Sequence, residues 1–242
     1  MNANQSSFPC RRAAALLLAC LVFLGGGGAA LSARGETKAP AGLYAGSLSD
    51  AEVFIDLPAL RQYGGYTCGA ACVQMLMNWL FPYAADLNLA QYEALLGTTP
   101  EDGTPPDAIL AFLEESGVAF DASQGMTLDQ LRECLRKGQP VLMALQAWSS
   151  SEDGSYNVDD PAAAGTYLAE GHWVICVGYG QSGDQPCFIF NDPACVGHVL
   201  MDGAALERRW IDQDAAGTIF DHFGIVICQT TAYDPNGLFY ME

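Results

Sequence analysis

Cys68 opens the segment YTCGAACVQMLMNWLF, in which Cys72, Met75, Leu76 and Trp79 recur at helical spacing before Pro82. A thiol in the first turn of a helix faces unpaired backbone N–H groups and the positive end of the helix dipole. Both favour the thiolate, which is the nucleophilic form. Gly69 would let a carbonyl approach closely, and Ala70 and Ala71 leave room above the helix. Taken alone the pattern has little weight, because a helical cysteine is ordinarily a small inert hydrophobe.

Its partners in such chemistry are a base, a group to orient the base, and a donor for the oxygen that turns negative. Gln62 lies six residues upstream across Gly64 and Gly65, which permit a turn, and its amide would serve as that donor. His172, in EGHWVICVGYG, sits at the mouth of an apolar strand, where a base is held by a rigid element yet can still reach out. Asp192 follows the strand CFIFN and precedes Pro193. A hairpin across 181–185 would return Asp192 toward the strand end that carries His172. Each residue also has a plain structural reading: a satisfied histidine, an Asp-Pro turn, a surface glutamine. His198 and His222 are the competing bases, and neither has a comparable Gly-His-apolar context.

The elements that must position these residues fall into two groups. Helices are expected over 66–81, with Thr67 as N-cap, and over 89–96, 106–116 and 128–137. The last is framed by Thr127 and Gln130 in a capping-box pattern and stopped by Gly138. Strands rich in Val, Ile, Leu and Phe are expected over 141–147, 173–179, 187–191 and 224–229, with a short helix over 203–210 capped by Asp202. Helices first and strands second argue for an α+β domain, its N-terminal helical part packed on an antiparallel β-sheet. Residues 149–171 form a long polar connection of the kind that is often functional. Trp148, Trp173 and Tyr179 are placed to line a cleft or fill the core.

Charge and composition exclude other classes. The 242 residues carry a formal charge of -18 with no basic block, which would repel nucleic acids and anionic lipid, and the carboxylates read first as a solubility device. Half the residues are hydrophobic, enough for a substantial core. Arg11 and Arg12 followed by twelve apolar residues, 13–24, and then small residues read as an export signal over 1–33. Those twelve residues would span only about 18 Å as a helix, short of a hydrocarbon core, so no stable membrane insertion is expected after signal removal. Leu17-Leu18-Ala19-Cys20 resembles a lipoprotein box, a minority reading because the apolar run continues past Cys20. A linker over 34–52 then leads into a domain over 53–242, which is expected in the periplasm or outside the cell. Seven cysteines remain beyond the leader, and in an oxidising compartment an odd number leaves one thiol unpaired if the others pair. Cys187 and Cys195, flanking the Asp192 turn, are a candidate bridge. No cysteine–histidine spacing implies a metal.

Taken in order, Gln62, Cys68-Gly69-Ala70-Ala71, Gly138-Gln139-Pro140-Val141, Gly171-His172-Trp173-Val174 and Asn191-Asp192-Pro193 resemble the bacteriocin-processing peptidases and their stand-alone relatives, family thirty-nine of the cysteine peptidases. Gly103-Thr104-Pro105 and Arg209-Trp210 are similar to the stand-alone branch. The resemblance, over about residues 55–230, implies a papain-like fold with Cys68 as nucleophile, His172 as general base, Asp192 as its orienting residue and Gln62 as oxyanion donor. It implies no cofactor and a peptide or protein substrate. Thr67 stands where transporter-linked members usually carry Asp, and no Walker-type glycine loop is present, so cleavage of double-glycine leaders does not carry over. The same machinery would equally transfer an acyl group to an amine, and a non-catalytic binding module would retain the same fold.

Overall fold

The computed structural model describes residues 51–82, 87–147, 171–195 and 197–229. Where apolar residues recur every three to four positions the chain is helical: α1 (Cys68–Leu80), α2 (Leu89–Leu96), α3 (Pro106–Glu115) and α4 (Leu128–Arg136). Capping boxes start two of these. Asn88 and Gln91 bond reciprocally at α2, and Thr127 and Gln130 do so at α4. Gly97 ends α2 in the left-handed conformation that glycine adopts without a Cβ penalty.

The C-terminal part is built of strands, interrupted by α5 (Gly203–Arg209), whose cap Asp202 accepts from Ala205 N–H. A seven-stranded antiparallel sheet has the order β2 (Phe120–Ser123), β9 (Gly224–Ile227), β3 (Val141–Gln146), β4 (Gly171–Ser182), β5 (Gln185–Asn191) and β6 (His198–Asp202). β1 (Ala51–Phe54) also joins β4. β4 is long enough to serve two partners along one edge: β3 pairs with Gly171–Cys176 and β1 pairs around Gly178–Gly180. There a Cβ on residue 178 would fall 2.3 Å from the Val53 carbonyl oxygen, so only glycine fits. A small hairpin of β7 (Ile211–Gln213) and β8 (Ile219–Asp221) completes the set.

β3 is buried throughout and β4 from His172 to Gly180, so side chains on both faces of these central strands are covered. α1 and α4 both pack on β4. Met75, Leu76, Leu80, Leu131 and Leu135 are essentially inaccessible, each worth about 1.5–3 kcal/mol of transfer free energy. Trp210 is buried among them and donates its indole N–H to the Phe223 carbonyl, 2.8 Å. The α+β architecture is therefore the one expected. No helix among the described residues is long and apolar enough to cross a membrane.

Several local expectations differ from the structure. Thr67 precedes α1, but its φ of -95° and ψ of 13° turn the side chain away from the helix. The hydroxyl instead makes long contacts of 3.4 Å with the N–H and carbonyl of Gly64. β1 starts at Ala51, and β2, β6, β7 and β8 were not foreseen as strands, because segments such as FDAS and IDQ lack both alternation and length. Of the long connection, residues 148–170, with Trp148, lie outside the described residues; Gly171 begins β4.

Candidate active site

Three elements converge on Cys68. It is the first residue of α1, 5% exposed, and the start of that helix is wedged against the sheet and the 99–105 loop. A Cβ added at Gly69 would meet Thr104 Cβ at 2.5 Å and Trp173 Cδ1 at 3.0 Å. Trp173 is itself fixed by its indole N–H on the Thr104 carbonyl, 3.0 Å. Glycine after the cysteine is thus a packing requirement as well as a means of approach.

His172 is the second residue of β4, paired with Leu145 of β3, and is 3% exposed. The β4–β5 hairpin turns at Gly183-Asp184 and brings Asp192 back as the sequence order implied. His172 Nε2 lies 2.7 Å from Asp192 Oδ1, which leaves Nδ1 as the ring nitrogen for the hydrogen bond between His172 and the Cys68 thiol. Asp192 is held in turn: Oδ1 accepts from Ala194 N–H, 2.8 Å, and Oδ2 from the Cys195 thiol, 3.6 Å.

Charges within this group support one another. Burial penalises a Cys68 thiolate, but the hydrogen bond and charge of His172, with backbone contacts from Trp173 and Gly69, bring its pKa below the ordinary thiol value. Burial also opposes an imidazolium at His172. The hydrogen bonds to Asp192 and Cys68 and their charges outweigh it and raise the group to about 10. Asp192, despite burial, is held below the usual carboxylate value by His172, Ala194 N–H and the Cys195 thiol. Such a set favours a nucleophilic thiolate beside a proton donor.

Gln62 is drawn to the same end of the sheet. Its backbone N–H donates to the Pro193 carbonyl, 2.8 Å, and its Nε2 donates to Gly64 O, 2.6 Å, within the turn that leads to Cys68. A second N–H of that amide remains for another acceptor. Asn191, fully buried, ties this segment down from the other side: its Nδ2 donates to Leu57 O, 2.8 Å, and its Oδ1 meets His198 Nδ1, 2.5 Å. His198 is thereby engaged elsewhere, and His222 lies against Asp221, so neither competes with His172.

The site opens into a cleft of about 570 Å³ that Cys68 and Trp173 share with Tyr66, Thr104, Gly171 and Asp212. A larger apolar groove of about 740 Å³ at the far end of α1, lined by Met77, Phe81, Tyr92 and Phe112, offers no thiol or imidazole among the described residues. Tyr179 packs in the core against Phe188 rather than lining the cleft. The cysteine count does not single out Cys68, because Cys68, Cys72, Cys134, Cys176, Cys187 and Cys195 are all free thiols. Cys187 and Cys195 do not bridge. They lie beyond opposite ends of the Phe188–Asn191 stretch, which at strand rise spans roughly 13 Å, too far for a disulfide. Cys72 is a buried thiol donating to Trp173 O, 3.4 Å, and burial raises its pKa, so it is inert core. Sequence reasoning placed Asn191 at a strand end and in the Asn191-Asp192-Pro193 motif without giving it a role, and passed over Asp212, whose segment carries no motif.

A helix-borne cysteine facing a sheet-borne histidine in an α+β domain is the arrangement of a cysteine peptidase. The model of the Peptidase_C39 like family matches residues 54–216, and the chain belongs to that family. The solved structures that resemble it include two peptidases. One is the double glycine motif protease from an AMS/PCAT transporter in complex with its leader peptide, 16% identical, covering 72% of this chain and 92% of that one, TM-score 0.46. The other is a C39-like peptidase from Bacillus anthracis, 13% identical, covering 74% and 98%, TM-score 0.49. No curated protein matches the chain.

Proposed function

We propose that this cysteine peptidase is exported and hydrolyses peptide bonds with Cys68 as nucleophile, His172 as acid and base, Asp192 as the group that orients and charges the histidine, and Gln62 as an oxyanion donor. The observation that carries the reading is His172, hydrogen-bonded to Asp192 through one ring nitrogen and to Cys68 through the other at the mouth of a cleft.

The thiolate of Cys68 attacks the peptide carbonyl carbon and an S–C bond forms while the carbonyl oxygen becomes negative. The free amide N–H of Gln62 and the backbone at the start of α1 stabilise that oxygen. His172 gives its proton to the departing amine as the C–N bond breaks, which leaves a thioester on Cys68. The neutral imidazole then takes a proton from water, hydroxide displaces the thiolate, and the acid product leaves. These steps call on the chain's own side-chain and backbone groups and on water. Export rests on the leader at 1–33, followed by a linker and a domain that begins by β1 at Ala51, and the site of action is the periplasm or the extracellular space.

The test is digestion of a peptide mixture by the mature protein and by Cys68→Ala, with new termini read by mass spectrometry in the presence and absence of excess amine acceptor. Hydrolytic products that require Cys68 are expected. Dominant amine-capped products would replace hydrolysis by acyl transfer, and absence of any Cys68-dependent product, with Cys68 inert to alkylation, would leave a binding module. N-terminal sequencing of the exported protein checks the leader.

A further inference from the structure

One carboxylate in the cleft takes no part in these steps. Asp212 is the middle residue of β7, and its carboxylate lies against the backbone of Gly171, immediately before His172. A Cβ on residue 171 would fall 2.4 Å from Oδ1 and 2.7 Å from Oδ2, so glycine there is what admits the carboxylate. Oδ1 is fixed by Gln146 Nε2, 3.1 Å, and by the Gln213 backbone N–H, 2.8 Å. Gln146 is fully buried and pairs with Gly171 across β3 and β4, so the sheet itself sets the position of Asp212. Oδ2 accepts no hydrogen bond among the described residues, and Asp212 lines the cleft that contains Cys68.

A carboxylate in this position is costly when nothing pairs with it. Burial raises Asp212 to about 7 against the Gln213 N–H, the charge of His172 and the Gln146 amide, all of which favour ionisation. A cation arriving at Oδ2 would relieve that cost, which is how a binding carboxylate differs from a structural one. Among the described residues the charged groups that share the cleft wall, Glu101, Asp102 and Asp214, are acidic, and no lysine or arginine lines it. Their field would favour approach of a cation but would not fix its place.

We propose, on the peptidase reading above, that Asp212 is a specificity-determining residue whose Oδ2 receives the lysine or arginine side chain of a peptide close to its scissile bond. The enzyme thus selects cationic peptides. The overall charge of -18, read from sequence as a solubility device, then has a local counterpart at the site.

Two measurements test this independently of each other. In the first, second-order labelling rates of Cys68 are mapped by mass spectrometry at about pH 8 with a trimethylammonium-ethyl methanethiosulfonate and its sulfonatoethyl counterpart. The ratio of the two cancels the thiolate fraction. Asp212→Asn is expected to lower the cation-to-anion ratio about tenfold or more. Asp129→Asn, a charge change at an exposed residue of α4, is expected to move it less than about twofold. In the second, peptides cleaved by the wild type are compared with the same peptides acetylated at each lysine. Acetylation at one position beside the scissile bond is expected to lower kcat/KM about tenfold or more, an effect that shrinks to less than about twofold in Asp212→Asn. Equal cleavage of acetylated and unmodified peptides by the wild type overturns the proposal without recourse to any variant. So does an unchanged labelling ratio in Asp212→Asn. A shifted labelling ratio with no peptide cleaved at all would keep the cation site and sink the peptidase reading instead.

Discussion

Asp192 reaches His172 from a turn that fixes its orientation: the oxygen 2.7 Å from His172 Nε2 also accepts the Ala194 N–H. Asparagine at this position would keep its own Oδ1 on both donors, because its amide nitrogen cannot accept from Ala194. The tautomer of His172 is then preserved and only the charge is lost. Asp192→Asn is therefore expected to lower kcat about tenfold to a hundredfold, and Asp192→Ala, which loses charge and orientation together, about 10²–10⁴-fold. Steady-state kinetics on the two variants check this, and equal losses would show that the charge alone matters.

The thiolate and imidazolium should be visible in pH profiles of different shape. Cys68 lies below the ordinary thiol value and His172 is raised to about 10, so each favours the charged form of the other. Alkylation of Cys68 is expected to begin at a lower pH than that of an ordinary thiol and not to fall at high pH, since it needs the thiolate alone. Turnover should fall as pH rises toward about 10, where His172 loses the proton owed to the leaving amine. In His172→Ala only the backbone contacts from Trp173 and Gly69 oppose the burial penalty on Cys68, so its pKa rises and alkylation at about pH 6.5 should drop about tenfold or more.

Gln62 separates transition-state stabilisation from structure. Its Nε2 bonds to Gly64 O and its backbone to Pro193 O, so the residue both shapes the turn before Cys68 and offers one more N–H. Gln62→Ala is expected to lower kcat about 10²–10³-fold with little change in KM. Alkylation of Cys68, which develops no oxyanion, should proceed at nearly the wild-type rate. A parallel loss of alkylation would assign Gln62 to the turn alone.

The site was legible where local chemistry determines it. Cys68 at a helix start, the Thr127 and Gln130 capping box and the 181–185 hairpin are short-range features, and they brought His172 and Asp192 together as their order implied. What could not be read depends on contacts distant in sequence. β2 joins the sheet through β9, more than a hundred residues later, and FDAS alone gives no strand signal. Asp212 acquires meaning only when β7 lies over the ends of β3 and β4, beside Gln146 and Gly171. Thr67 shows that a suitable residue before a helix is no cap unless its backbone is extended. The odd cysteine count misled because it assumed that every other cysteine pairs, whereas Cys72, Cys134, Cys176, Cys187 and Cys195 are free thiols beside Cys68 and Cys228 is disulfide-bonded.

Gly69 gives the strictest test of how the nucleophile is positioned. The first turn of α1 contacts Thr104 and Trp173 so closely that a methyl group on residue 69 would overlap Thr104 Cβ and Oγ1 at 2.5 and 2.7 Å. Thr104 cannot give way cheaply, since its carbonyl holds the Trp173 indole and its hydroxyl bonds to Thr98, 2.8 Å. Overpacking of this kind costs about 1–3 kcal/mol, which for a domain of this size lowers Tm by roughly 2–12 °C. Because helix and sheet carry Cys68 and His172 separately, the strain should also part them: Gly69→Ala is expected to lose the rapid alkylation of Cys68 near neutral pH while remaining folded at 25 °C. Removing the opposing Cβ with Thr104→Gly in the same chain should restore part of that reactivity, although it costs stability of its own. Differential scanning calorimetry and labelling rates on both variants would decide it, and full reactivity in Gly69→Ala would show that the contact does not position the thiol.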